Sequence, residues 1–190
     1  MAERPKGFGL TAEVNQKISG KYDINMAREA IRWMETIAGE RLPGYQGNAD
    51  ADSVHSLLKD GQFLCKVMNK LNGPIKFNTS KMAFKQMENI GNFLTGAEKF
   101  GVNKADLFQT VDLYEGQNIP QVILGIHAVG RKAQMKGFPG LGPKESQENK
   151  REFTEQQLKA GQNVIGLQMG SNKGATQAGQ NFGKTRHIID

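Results

Sequence analysis

The chain has 190 residues, of which 37% are hydrophobic, and its 25 Lys and Arg against 19 Asp and Glu give a net charge of +6. This length suits one compact domain with appendages, or at most two small domains. The single cysteine excludes an intramolecular disulfide and favours a reducing compartment. The N-terminus lacks an apolar signal core, and no stretch approaches the ~18 apolar residues of a membrane span, so we expect an intracellular, soluble protein.

The first third of the chain predicts a flexible start followed by two helices. Residues 1–19 are polar and contain glycine, which predicts a flexible N-terminal lead. Asp23 is a suitable helix cap, and the apolar spacing after it predicts a helix to about Ala38. The glycine- and proline-containing stretch 39–52 predicts a loop, and residues 53–58 a short helix.

The strongest helical pattern lies within residues 57–71. Apolar residues recur there at i, i+3, i+4 and i+7, namely Leu64, Val67, Met68 and Leu71. Phe63 and Cys65 widen this apolar stripe to roughly 200°. A stripe that wide needs neighbours on more than one side, so the pattern predicts a central helix that enters through the turn at Asp60 and Gly61.

Two further long helices are predicted after an extended stretch at 75–80. The first spans about 82–100, with an apolar face formed by Met87, Ile90, Phe93, Leu94, Ala97 and Phe100. Gly101 suits its C-terminus, and residues 103–110 predict a short helix. Asn118 should cap a helix over about 119–134 that is apolar almost all round. The fold class is therefore all-α, and the predicted core comprises Trp33, Leu58, Leu64, Val67, Met68, Leu71, Ile90, Phe93, Val122 and Ile126.

The composition changes after Gly137. Residues 138–143 form a linker rich in glycine and proline, and residues 144–158 are charged and compatible with a transient helix. Residues 160–183 carry six glycines, which disfavour helix by roughly 1 kcal/mol each, so this tail should order only on a partner. No acid lies between Glu155 and Asp190, so the tail favours an acidic filament, nucleic acid or membrane, or is simply a solvated basic tail.

Signals for catalysis are weak. Gly183-Lys184-Thr185 resembles the end of a phosphate-binding loop but lacks the required glycine at position 178, and residues 48–59 lack the glycine and glutamate of a calcium loop. The three histidines share no ligand spacing with each other or with Cys65. We therefore expect no enzyme activity, no metal and no cofactor. The stretch 164–179 alternates apolar anchors with glycines and amides, which is compatible with an adhesive strip or with an inert tail.

Several stretches resemble one family. Residues 58–69 resemble the central-helix signature of calponin-homology domains, and residues 88–94 and 108–115 resemble later segments of that domain. Residues 153–179 closely resemble the calponin-like repeat. One such domain followed by one repeat is the layout of the transgelins, the short branch of the calponin family, which includes muscle proteins of invertebrates.

This resemblance implies a non-enzymatic, cytoplasmic protein of the actin cytoskeleton. It implies a flexible lead at 1–19, a calponin-homology domain of four main and several short helices at 20–137, a linker and basic segment at 138–152, and a repeat tail at 153–190. Filament contacts carried over from the family are Lys150, Arg151, Phe153, Val164, Ile165, Leu167, Gln168, Met169, Asn172, Lys173 and Gln177. Thr176 occupies the place of a phosphorylatable serine.

Two other functions stay open. The chain could be a signalling adaptor whose domain binds a kinase or scaffold protein while the tail localises the complex. Nucleic-acid binding is less favoured, because the tail offers only Phe153 and Phe182 as aromatic stacking platforms. We expect F-actin as the main partner, other cytoskeletal or signalling proteins as further partners, and a monomer that at most self-associates weakly.

Overall fold

The computed structural model describes residues 9–146 and 149–162, and every regular element in those two ranges is helical. The helices are α1 (Leu10–Ser19), α2 (Ile24–Ala38), α3 (Ala51–Leu58), α4 (Gln62–Asn72), α5 (Ala83–Phe100), a one-turn 3-10 helix (Lys104–Asp106), α6 (Thr110–Tyr114), α7 (Ile119–Met135) and α8 (Glu155–Gln162). The all-α prediction is confirmed. The described residues 9–146 form one compact unit, and α8 belongs to a second unit.

Side-chain caps determine where α2 and α3 begin. The Asp23 carboxylate accepts hydrogen bonds from the backbone N–H groups of Asn25 (2.8 Å) and Met26 (3.3 Å). The Asp50 carboxylate accepts one from the backbone N–H of Ser53 (3.1 Å). These bonds satisfy donors that the first turn of a helix leaves unpaired. The predicted start of α2 is confirmed, whereas α3 begins at Ala51 and not at Ser53.

Helix α4 is central to the domain. Its buried residues are Phe63, Leu64, Cys65, Val67, Met68 and Leu71, and the helix packs against both α5 and α2. Gly61, which precedes it, has φ +68°, and a Cβ at this position would lie 2.9 Å from Cβ of Asn89. Glycine is therefore required here both for backbone conformation and for space. The ten residues predicted for the core are each at most 6% exposed.

A buried asparagine joins three separate segments of the chain. Asn89 on α5 is 0% exposed, and its Oδ1 accepts a hydrogen bond from the backbone N–H of Asn78 (2.7 Å). Its Nδ2 donates to the carbonyl oxygens of Asp60 (2.9 Å) and Asn78 (2.8 Å). These bonds satisfy backbone groups that belong to no helix, and they attach the turn before α4 and the extended stretch 75–80 to α5.

Helix α7 is largely buried, as its apolar sequence predicts. The Asn118 side chain accepts a hydrogen bond from the backbone N–H of Gln121 (3.2 Å), which confirms the predicted cap. His127 is 4% exposed, and its Nε2 lies 3.0 Å from the carbonyl oxygen of Met26. Leu124, however, is 46% exposed, so one face of α7 reaches solvent.

Three local predictions need correction. Residues 10–19 are helical, although the sequence analysis treats 1–19 as a flexible lead; α1 has no buried residue, so no apolar stripe revealed it. The short helix predicted at 103–110 is a 3-10 turn at Lys104–Asp106 followed by the separate helix α6. Met87, which the pattern groups with Ile90 and Phe93 on the apolar face of α5, is 36% exposed, whereas those two residues are buried.

The segment 138–145 lies along the domain and is not a free linker. The Trp33 indole N–H donates to the Pro139 carbonyl oxygen at 2.7 Å. Leu141 is 6% exposed and packs so closely on Gly130 that a Cβ there would collide with it. An ion pair joins Lys132 to Glu145 (3.2 Å). The glycine- and proline-rich pattern that predicts a linker from Phe138 gives no sign of these contacts.

Candidate functional site

The described part of the predicted binding segment lies directly before α8. Lys150, Arg151 and Phe153 are exposed and belong to a stretch without regular secondary structure. Phe153 is 58% exposed, so much of its apolar ring faces water. The arrangement presents two cations and one apolar ring to solvent, a combination that suits an acidic protein surface with an apolar spot.

Helix α8 continues this segment. The Thr154 hydroxyl accepts a hydrogen bond from the backbone N–H of Gln157 (3.4 Å), and the backbone N–H of Thr154 donates to Oε1 of Gln157 (2.9 Å). This reciprocal pair is a capping box, and it explains why the helix begins at Glu155. Leu158 is 55% exposed, so the described part of this second unit presents apolar side chains to solvent.

The other predicted contact residues lie outside the described residues. They are Val164, Ile165, Leu167, Gln168, Met169, Asn172, Lys173 and Gln177, and the phosphorylation candidate Thr176 is among the residues not described. Of the predicted contact residues, the structure therefore describes only Lys150, Arg151 and Phe153.

Three large apolar side chains are exposed at the start of α5, which the apolar spacing did not predict; the three together are called the patch on α5. At the start of α5, Met82 is 64% exposed, Phe84 65% and Met87 36%. Lys85 Nζ lies 5.1 Å from the centre of the Phe84 ring and forms an ion pair with Glu88 (2.9 Å). Helical periodicity assigns a face to each residue but does not indicate which face a neighbour covers. Exposed methionines adapt to varied partners, so this patch suits a protein contact.

An open groove lies between the second half of α5 and residues 104–111. Its volume is about 600 Å³, and its lining comprises Leu94, Glu98, Lys104, Ala105, Leu107, Phe108, Gln109, Thr110 and Val111. Apolar residues predominate in this lining, which also contains one acid and one base, so its charge favours neither sign of ligand. Nothing in this set pairs a nucleophile with a base.

The described histidines and the cysteine occupy structural positions. His55 Nε2 lies 3.2 Å from the Tyr114 carbonyl oxygen, and His127 Nε2 lies 3.0 Å from the Met26 carbonyl oxygen. Burial raises the pKa of the Cys65 thiol to about 12, and its Sγ lies 3.1 Å from the Asn89 carbonyl oxygen. A thiol this basic is not a nucleophile at neutral pH. Within the described residues, no three His, Cys, Asp or Glu side chains are grouped to hold a metal ion.

No helix in the described part of the chain is long and apolar enough to cross a membrane. The described surfaces with functional character are therefore the exposed segment 150–154, the patch on α5 and the open groove. Each is suited to contact with another macromolecule.

Comparison with known proteins identifies the fold and the tail. The calponin homology (CH) domain matches residues 25–135, and the calponin family repeat matches residues 165–188. The domain resembles the calponin-homology domain of Rng2 from Schizosaccharomyces pombe, with 29% identity over 76% of this chain and 88% of that one and a TM-score of 0.54. The helical unit is thus a calponin-homology domain, and the chain combines it with one calponin repeat.

Two relatives that match nearly the whole chain show which branch of the family it resembles. Myophilin of Echinococcus granulosus is 47% identical over 196 residues, covering 100% of both chains. Muscle-specific protein 20 of Drosophila melanogaster is 50% identical over 188 residues, covering 96% of this chain and 98% of its own. The chain belongs to the calponin family and has the transgelin-like layout of one domain and one repeat.

Proposed function

We propose that this chain is a cytoplasmic, non-enzymatic muscle protein that binds actin filaments and decorates, stabilises or bundles them. The observation that carries the proposal is the full-length similarity to a protein named for muscle, together with a calponin repeat that follows the domain. The exposed Lys150, Arg151 and Phe153 support it, because they lie in the segment that leads into that repeat.

The mechanism combines steering by charge with anchoring by apolar side chains. Lys150, Arg151 and Lys173 attract the acidic filament surface, and Leu167 and Met169 then bury apolar area. The amides of Gln168, Asn172 and Gln177 supply hydrogen bonds. Ordering the glycine-rich tail costs conformational entropy, so one chain binds weakly, and a second contact from the domain or from a neighbouring chain raises avidity.

Co-sedimentation with F-actin tests this mechanism. Reversing the charges of Lys150, Arg151 and Lys173 to Glu should strongly reduce binding, and raised salt should have the same effect because exposed charges are screened beyond ~8–10 Å. The matched control reverses three exposed lysines of the domain, Lys70, Lys76 and Lys104, which keeps the change in net charge equal. If the control loses as much binding, or if a fragment ending at Ser146 sediments as well as the whole chain, the tail is not the main site.

A signalling adaptor is the second candidate, and the exposed patch on α5 favours it. An adaptor needs a domain surface of its own, and Met82, Phe84 and Met87 offer one. The test measures binding of a purified kinase or scaffold protein to the fragment ending at Ser146. Binding that is lost in the double variant Met82→Ser, Phe84→Ser would support this function. If the partner still binds the double variant but no longer binds a chain without its tail, the adaptor function would be contradicted.

Thr176 stays a candidate for phosphorylation within this mechanism. A phosphate adds roughly −1.5 to −2 charges three residues from Lys173, so filament binding should weaken several-fold without being abolished. The measurement is binding of plain and phosphorylated peptides of residues 160–190 across a salt series. Equal binding by the two peptides would show that Thr176 is only a polar spacer.

A further inference from the structure

Asn72 and Gly73 form the only Asn-Gly pair in the sequence, and the pair lies where α4 ends. Asn72 is the last residue of the helix and is exposed. Gly73 has φ +92°, which glycine adopts without strain, and a Cβ at this position would meet no atom within 4 Å. No neighbouring atom therefore crowds that side of the Gly73 backbone.

The backbone N–H of Gly73 takes no part in the helix. The glycines that follow α2 and α5, Gly39 and Gly101, donate hydrogen bonds to carbonyl groups of the last helical turn. Within the described part of the chain, the Gly73 N–H has no such acceptor. The Asn72 carbonyl is one of the last four of α4, which a helix leaves without an internal partner. Rotation of the peptide group between Asn72 and Gly73 therefore breaks no hydrogen bond of the helix.

The pair faces an open cleft of about 370 Å³ between the end of α4 and the middle of α5. Lys76 and Lys99 line the same cleft, and both are exposed. The described lining contains these two cations and no acid. Water therefore reaches the pair, and the cations favour a negative charge that develops there.

We propose that Asn72 is a site of spontaneous deamidation. A base from solvent takes the Gly73 amide proton, and the Gly73 nitrogen forms a bond to Cγ of Asn72. The bond from Cγ to Nδ2 breaks, and Nδ2 leaves as ammonia after it takes up a proton from water. Water then opens the five-membered succinimide ring at either carbonyl, which yields aspartate or isoaspartate. The net reaction consumes one water and releases one ammonia, with no oxidation or reduction.

The chain offers a matched asparagine for comparison. Asn48 is also exposed, but its neighbour Ala49 carries a Cβ and is 0% exposed. The Asn48 side chain is held twice, since its Nδ2 donates to Ser53 Oγ (3.3 Å) and its Oδ1 accepts from the Asp50 N–H (3.4 Å). Asn72 Nδ2 donates one hydrogen bond, to the Gly96 carbonyl oxygen at 3.2 Å. We therefore expect Asn72 to react much faster than Asn48.

The product places a carboxylate where the structure has an amide. A carboxylate cannot donate to the Gly96 carbonyl oxygen, so this bond between α4 and α5 is lost. The new charge also lies at the C-terminal end of α4, where the helix dipole disfavours it. Lys76 and Lys99 offset part of this by attraction. We expect a domain that stays folded and is less stable. The reaction needs neither the tail nor a filament, so it is independent of the proposed function.

The test incubates the full-length protein in warm, mildly alkaline buffer made with water labelled with heavy oxygen. Mass spectrometry of the proteolytic peptide that contains Asn72 measures the label, which enters when water opens the succinimide. Chromatography separates the aspartate and isoaspartate forms, and isoaspartate shows that the ring has formed. Label should appear at Asn72 well before it appears at Asn48.

Two variants test the role of each residue of the pair. Asn72→Gln should remove the reaction, because the longer side chain would have to close a six-membered ring. Gly73→Ala should slow it several-fold, because the added Cβ crowds the attacking nitrogen. The positive φ strains alanine at this position, so the fluorescence of Trp33 is used to confirm that this variant is folded.

Two results would overturn the assignment. One is a folded protein that stays unmodified at Asn72 while a synthetic peptide of residues 69–76 reacts, because the fold would then protect the pair. The other is an equal rate at Asn72 and Asn48, because Gly73 would then have no part in the reaction.

The effect on stability is measured by urea unfolding of the deamidated protein, separated by ion-exchange chromatography. Its midpoint should be lower than that of the unreacted protein by roughly 0.3–1 M. Asn72→Asp should show a similar shift, and Asn72→Ala, which loses the hydrogen bond without adding a charge, should show a smaller one. Equal midpoints for the two separated forms would overturn the expected destabilisation.

Discussion

Replacing Asn89 by Ala should destabilise the domain more than its small change in volume suggests. The side chain is fully buried, and it pairs with the Asp60 carbonyl, the Asn78 carbonyl and the Asn78 backbone N–H. Truncation to Ala leaves these three backbone groups without their partner. A buried group left unpaired costs about 1–3 kcal/mol. Asn78 is only partly buried, so water recovers part of this, and we expect a loss of about 3 kcal/mol.

The assay is urea unfolding followed by the fluorescence of Trp33, which is the only tryptophan of the chain. Trp33 is 5% exposed in the folded domain, so its emission should shift when the core opens. A loss of about 3 kcal/mol moves the midpoint by 1 M or more, since the slope for a domain of this size is about 1–3 kcal/mol per M.

The matched control is Asn92→Ala, on the same helix one turn away. Asn92 Nδ2 donates one hydrogen bond, to the Lys76 carbonyl oxygen at 3.0 Å, and its side chain is partly exposed. Water can replace that partner, so this variant should lose at most about 1 kcal/mol. Equal losses for the two variants, or a loss below about 1 kcal/mol for Asn89→Ala, would refute the role assigned to the buried asparagine.

Other variants test the remaining features by the same unfolding assay. Leu141→Ala should lower the free energy of unfolding by about 2–3 kcal/mol, because it leaves a cavity over Gly130. Unchanged stability would mean that residues 138–145 are a free linker. Gly61→Ala should cost roughly 2 kcal/mol or more through its positive φ and the collision with Asn89, and unchanged stability would contradict the close approach. The free energy of unfolding should fall as pH rises above 9, because unfolded Cys65 loses its proton near 9.0 whereas the folded thiol keeps it until about 12. Cys65→Ala should remove this slope between pH 9 and 10.

Local patterns predicted the long helices because the signals for them lie within a few residues. Asp23 and Asn118 cap the helices that follow them, and the spacing of apolar residues in α4 predicts which of them are buried. Helices that lack an apolar stripe gave no such signal, so α1 was missed. The short elements between α5 and α7 were also misplaced, because helices of three to five residues depend on tertiary packing more than on propensity.

Some features of the candidate site follow from the sequence, and others are visible only in the folded chain. The family resemblance and the charge of the tail come from the sequence, and they assign Lys150, Arg151 and Phe153 to the proposed binding segment. That these side chains are exposed, and that the Thr154 hydroxyl caps α8, are properties of the folded chain. The apolar patch on α5 is another such property, since periodicity grouped Met87 with the apolar face without indicating that it is exposed.

The sequence alone determined the helical class, the central position of α4 and the family, because periodicity, caps and motifs are local properties of the chain. Only the tertiary structure decided that Asn89 is the polar centre of the core, since its partners lie 11 and 29 residues away. It also decided that Pro139 and Leu141 belong to the domain, because Trp33, which holds Pro139, lies 106 residues earlier in the chain. Contacts at such separations depend on how the helices pack, and no pattern of neighbouring residues carries that information.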